Sequence, residues 1–208
     1  MLHLLVVYLH LLATCAALGA ILVSDLRLLG KAWNTGARLV PPEPFVARLV
    51  TVSLAVLIAT GGALVALGLQ ADPGYLRNGK LQAKLVLVAL LVLNAGVLHG
   101  VTFPRLATGR PLRLAGVADA LAVAVPVALS NSLWLFCAFL GVARRWNHVV
   151  PIGEVLALAA AAFGVALLGA VVLLALTERR SPGRAREAGG AHFVPKMRSP
   201  ASPSPGTM

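Results

Sequence analysis

Cysteine is almost missing, and Cys15 and Cys137, the two that occur, both fall in apolar stretches at different expected depths. A disulfide needs Cα atoms within about 7 Å of each other, so these positions read as small buried thiols rather than a cross-link. Charge is scarce as well. Asp, Glu, Lys and Arg make up 12% of the 208 residues against 59% hydrophobic, and mean hydropathy is +0.87. No water-soluble domain of this length tolerates such a surface. The chain also lacks a nucleophile–base constellation, a phosphate-cradling glycine loop and zinc-ligand spacing, which leaves a soluble-type enzyme without support. Acidic residues are few, 7 against 18 basic ones, for a formal charge of +11. That excess does not point to nucleic acid, because the Lys and Arg sit in short connections and a tail where no basic patch or stripe can assemble.

What the chain has is long apolar runs. Five segments, 2–24, 49–70, 81–103, 120–143 and 149–177, each reach the ~20 residues that cross a hydrocarbon core of ~30 Å. The fold class expected is therefore all-α: residues 1–177 as a bundle of five transmembrane helices, and residues 178–208 as a disordered tail. The tail is rich in Pro, Ser, Gly and Arg and too poor in apolar residues to repay ordering. The first run reads as a span and not a signal peptide, since no Lys or Arg precedes it and hydrophobicity continues past Cys15 to Val23.

The connections sort the basic residues. Arg77, Lys80, Lys84, Arg144 and Arg145 fall on one face; Arg27, Lys31, Arg38, Arg48, Arg105, Arg110, Arg113 and the tail arginines fall on the other. The richer face goes to the cytoplasm, so the N-terminus is expected outside and the C-terminus inside. A bacterial inner (plasma) membrane is the expected location. Within the first connection, Leu26, Leu29 and Trp33 are expected to share a face in the headgroup layer, and Pro41, Pro42 and Pro44 to stop regular structure. Asp72-Pro73-Gly74 marks a turn. Gly61, Gly62 and Gly68 are expected to allow close backbone approach. Pro126 predicts a kink in the fourth span, with Ser130, Asn131 and Ser132 placed to satisfy the carbonyl that proline frees.

Polar groups inside spans are costly enough to require a reason. Counting ~1.5 Å per residue from the outer end puts Thr14, Thr60, Asn94, Ser130 and Asn131 near the midplane. They read either as hydrogen-bonding glue between helices or as a midplane substrate or ion site. His10 counts to ~12 Å, Lys84 to ~5 Å and His99 to ~25 Å. Axial ligands of one haem must share a depth, so His10 and Lys84 can meet on one cofactor more readily than His10 and His99. Lys84 can equally snorkel to the headgroups. His3 and His148 belong with Glu154 to the outer interface, where they read as ordinary polarity or an opportunistic metal site.

The stretches YLHLLATCAALGAILVSDLRLL and KLQAKLVLVALLVLNAGVLH resemble the copper-resistance-D-like membrane superfamily and its neighbour, the haem-dependent membrane protoporphyrinogen oxidases. The resemblance implies a b-type haem, with a first-span His and a third-span Lys required, roles that would fall on His10 and Lys84. Two departures stand against it: His10 is not followed by the family's typical Trp, and the Lys84-to-His99 gap is longer. LSNSLWLFCAFLGVARRWN resembles part of an uncharacterised bacterial family of small integral membrane proteins, which implies no activity.

The reading that follows is a multi-pass membrane protein holding haem b near its outer half, with His10 as first-choice iron ligand and Lys84 and His99 as further candidates. Electron transfer or porphyrin oxidation would go with it, and a redox partner or membrane complex. The alternatives are a small permease or ion-conducting bundle using Thr14, Thr60, Asn94, Ser130 and Asn131, and an accessory subunit with no site. Neither the oligomeric state nor catalysis follows from the residues.

Overall fold

A computed structural model describes residues 1–35, 41–108 and 117–179. Among these the secondary structure is helical, with no strand. Five helices are long and apolar enough to cross a membrane: α1 (Leu2–Thr35), α2 (Pro44–Ala71), α3 (Gly79–Ala107), α4 (Val117–Val142) and α5 (Ile152–Arg179). Leu4, Leu22, Val52, Leu93, Leu135 and Val165 are among many large apolar side chains left exposed. A water-filled environment would drive so much contiguous apolar surface to associate, whereas lipid tails solvate it. The expected tail lies outside the described residues beyond Arg179, as does most of the loop before α4.

Helix boundaries follow local chemistry. Pro44 opens α2 in the first turn, where its missing N–H costs nothing. The Asp72 side chain accepts the Gly74 N–H at 2.8 Å and its carbonyl accepts the Tyr75 N–H at 3.0 Å, forming the expected turn. Asn78 caps α3 by accepting the Lys80 N–H at 3.1 Å. α1 differs from expectation. It continues unbroken from Leu2 to Thr35, taking in the segment expected to be a separate interfacial turn. Leu26 there is exposed, and the side chains of Leu29 and Trp33 lie outside those described.

α1 and α2 pair along their length; α3 packs on α4 and α5; and α4 joins the two groups by touching α1 as well. α4 is thus the central helix, with 44% of its apolar window buried against 6% for α2. The shared core is built from Ala17, Ala83, Leu87, Leu91, Leu133, Trp134, Leu140 and Val155. Small residues at 17 and 83, both fully buried, let neighbouring helices approach closely, which is how helices associate where lipid is as apolar as leucine.

The glycines of α2 play a different part from the one expected. A side chain at Gly62 would meet nothing within 4 Å, and at Gly61 it would make ordinary contact with His10 Cε1 at 3.6 Å. Gly68 seats the Tyr75 ring, which a Cβ would strike at 2.5 Å. True backbone approach occurs at Gly79, where a Cβ would lie 2.8 Å from the Ile152 nitrogen and 2.9 Å from the Val150 carbonyl oxygen. The start of α3 is therefore wedged against the start of α5. The same end is tied by the Lys80 ammonium, which donates to the Ala143 carbonyl oxygen at 2.9 Å beyond the end of α4. A cation at a helix C-terminus also offsets the negative end of its dipole.

Pro126 is accommodated from outside its own helix. Having no N–H, it leaves the Ala122 carbonyl without its i→i+4 donor. The hydroxyl of Thr102, on α3 and fully buried, donates to that carbonyl at 3.2 Å. The Asn94 amide, also on α3, donates to the Pro126 carbonyl at 2.9 Å. The expected local donors do other things: Ser132 bonds to the Leu129 carbonyl at 3.0 Å, and Ser130 and Asn131 line a cavity. The reason α3 can supply both donors is a π turn, Leu98–Thr102. In a regular α-helix, Asn94 and Thr102 would point about 80° apart after eight residues. One extra residue in the turn brings that to about 20°, so both reach α4.

A double-mutant cycle tests this pairing. Thr102→Val should lower stability by about 1 kcal/mol in the wild-type background. In Pro126→Ala, where a backbone N–H again serves Ala122, the same change should cost markedly less. Denaturant titration of the protein in mixed micelles reads both values. Equal costs in the two backgrounds would show that Thr102 does not answer the proline.

Candidate functional site

Two polar regions lie inside the bundle, at different levels. The first surrounds His10, which is half-buried on α1 and faces α2. Its Nδ1 lies 2.8 Å from Thr60 Oγ1. The tautomer follows from the hydroxyl's other partner. Thr60 Oγ1 has one proton and donates it to a backbone carbonyl, Val56 at 2.7 Å, with Leu57 at 3.4 Å as a longer alternative. Toward His10 the hydroxyl can then only accept, so Nδ1 carries the imidazole proton and Nε2 keeps a free lone pair. This is the arrangement that prepares an imidazole to bind a metal through Nε2, the ring held in place by a hydrogen bond at its other nitrogen. Gly61, with no side chain beside His10 Cε1, leaves the ring unconstrained on that flank.

Lys84 faces the same interior. Its ammonium lies within electrostatic reach of the His10 ring on α1 and of the Cys137 thiol on α4. The two residues expected to share a depth are thus brought to one neighbourhood. Cys15 is exposed, Cys137 is partly buried, and both are free.

The second region lies toward the other end of the bundle. A cavity of about 280 Å³ opens between α2 and α3, with α1 and α4 forming its floor. Its walls are mainly apolar. Its polar groups are Asp25 and Ser24 from α1, Thr51 from α2, His99 from α3, and Ser130 and Asn131 from α4. The Asn131 amide is directed to the half-buried Asp25 carboxyl. His99 is exposed at the rim, 3.5 Å through Nε2 from the Thr51 hydroxyl and edge-on to Phe103 with ring centroids 5.1 Å apart. Thr51 and Thr60 are nine residues apart on α2, about 13 Å. Their partners His99 and His10 are therefore not neighbours, as their depths implied.

The midplane set does not assemble into one site. Thr14 bonds to the His10 carbonyl of its own helix at 2.8 Å, Thr60 serves His10, and Asn94 is buried against Pro126. Ser130 and Asn131 belong to the second cavity. His3, His148 and Glu154 are all exposed, and among the described residues no group of three or more His, Cys, Asp or Glu is arranged to hold a metal ion. His148 instead takes a left-handed backbone, φ 58°, and sends its N–H toward the Asn78 side chain at 3.4 Å.

Sequence reasoning missed Asp25. The hydrophobic run ends at Ser24, which puts Asp25 in a connection, and only the continuation of α1 turns it inward. Its spacing was a usable signal: Ala17, Ile21 and Asp25 recur every four residues, one face of a helix. Comparison with known protein families, with curated proteins and with solved structures returns no match.

The hydrogen-bond chain at His10 makes a specific spectroscopic prediction. With the histidine nitrogens labelled and the shifts assigned by comparison with His10→Asn, the wild-type ring should show a protonated Nδ1 and a bare Nε2. Thr60→Val should remove that preference. A ring protonated at Nε2 in the wild type would refute the assignment.

Proposed function

We propose that this chain is a multi-pass inner-membrane protein that binds a b-type haem through His10, with its N-terminus outside and its C-terminus in the cytoplasm. The observation that carries the reading is the 2.8 Å contact between His10 Nδ1 and Thr60 Oγ1: with Thr60 accepting a hydrogen bond from Nδ1–H, Nε2 keeps its lone pair for a metal. An imidazole is a common axial donor to haem iron, so the donor chemistry of His10 fits the group. Lys84 supports the reading as the nearby cation, available to balance the negative charge that propionates bring into a poorly solvating interior. A bound haem would supply one-electron transfer between ferrous and ferric iron.

The chain's own residues do the rest. Thr60 holds the ring's orientation, and the packed alanines of α1 and α3, Ala17 and Ala83, keep water from the interior. His99 is assigned no part in this site, because it sits with Thr51 at the other cavity. The orientation rests on the loop charges alone. The permease reading draws less from the geometry, since Asn94, its central residue, is occupied in holding Pro126.

Protein expressed with ample haem should purify coloured, with a Soret band and, once reduced, α and β bands. His10→Ala should lose these bands, Thr60→Val should shift or weaken them, and His99→Ala should keep them. Colourless protein under the same conditions, or bands indifferent to His10→Ala, would end the proposal.

A further inference from the structure

The cavity between α2 and α3 is unused by the haem reading, and its construction points to a ligand of its own. We propose that it binds the ring head of a membrane-soluble quinone or quinol. Four observations converge on that class. The volume, about 280 Å³, suits a one- or two-ring head and not a whole lipid. The walls are apolar, yet polar groups stand on different helices: the Asp25 carboxyl with the Asn131 amide on α1 and α4, and the His99 imidazole with the Thr51 hydroxyl on α3 and α2. A flat ring with an oxygen at each end can hydrogen-bond to both pairs at once, as acceptor when oxidised and as donor when reduced. A ligand recognised by one charge would need only Asp25.

The third observation is the route in. Thr51 and His99, at the rim, are exposed on the side where α2 stands away from α3. Around them Val52, Val56, Val97 and Val101 present the apolar surface of a membrane-facing helix pair. An occupant entering there comes from the hydrocarbon, and its isoprenoid tail can remain outside in lipid. Fourth is depth. The ion pairs Arg27–Glu43, at 4.0 Å, and Arg105–Asp119, at 3.6 Å, mark this end of the bundle. His99 precedes Arg105 by six residues, about 9 Å, and Asp25 precedes Arg27 by two, about 3 Å. The cavity therefore lies just inside the membrane surface, where a polar ring head on an apolar tail comes to rest. The site does not rest on a haem at His10.

Trp134 lines the cavity and reports on it directly. The protein carrying Trp33→Phe and Trp146→Phe is placed in phosphatidylcholine nanodiscs and titrated with decylubiquinone while Trp134 emission is followed. Quenching should saturate. Asn131→Leu and His99→Leu, each removing a group that can donate to a quinone oxygen, should each weaken the apparent affinity by about tenfold. A Cβ at Gly96 meets nothing within 4 Å, although Gly96 lines the cavity, so Gly96→Phe should fill the space and abolish saturable quenching without touching a polar group. His10→Ala should leave the titration unchanged, which separates failure here from failure of the haem proposal. Quenching that rises without saturation and equally in every variant would mean that the quinone only dissolves in the bilayer, and would overturn the proposal. So would saturable binding of decylamine, lost in Asp25→Ala, with no binding of decylubiquinone.

Discussion

Every backbone carbonyl inside a bilayer needs a donor, and water is not there to supply one. That constraint organises this bundle. The central helix carries a proline; a neighbour's hydroxyl fills the vacancy it leaves at Ala122, and the same neighbour's amide binds the proline's own carbonyl. The neighbour reaches both acceptors because one of its turns holds an extra residue. α3 and α4 are thereby locked in a single register by hydrogen bonds that neither makes alone. Their large apolar side chains then interlock around Leu87, Leu91, Leu133 and Trp134.

This arrangement explains which parts of the molecule were legible in the sequence. Spans of hydrocarbon length announce themselves, and all five lie close to where the apolar runs put them, because nothing else about a bilayer crossing is negotiable. The turn at Asp72 was legible for the same local reason. Partnerships between helices were not. Nothing in the order of residues says that Thr102 serves Ala122 while Ser132 turns to its own helix. The π turn has no compositional mark beyond a histidine and a glycine in an apolar run. Depth counting worked where helices are straight, separating His10 from His99. It failed to assemble a midplane site because it gives height and not azimuth: Thr14, Asn94 and Asn131 share a level but face different neighbours.

The polar residues also divide by the kind of work they do. Asn94 and Thr102 are buried, and each donates to a backbone carbonyl of the neighbouring helix. His10 is different, since one of its nitrogens is engaged and the other has a lone pair to spare. Asp25 and His99 differ again, standing on the walls of an open space. A polar group with all its capacity used is structural; one with capacity left over, held in a fixed orientation, is where chemistry can be sought. By that measure the histidine of α1 and the cavity below it are the two places to look.

The two ends of the bundle are unequally closed. At one end Gly79 brings α3 against the backbone of residues 150–152, Lys80 covers the last carbonyls of α4, and the Tyr75 ring plugs the surface of α2 at Gly68. At the other end α2 and α3 part around an open pocket. Among the described residues the packing is thus tight at one end and loose at the other, where the pocket opens sideways between two helices. Bulk added at residue 79 would therefore disturb α3, α4 and α5 together, whereas bulk added beside the pocket, as at Gly96, would meet open space.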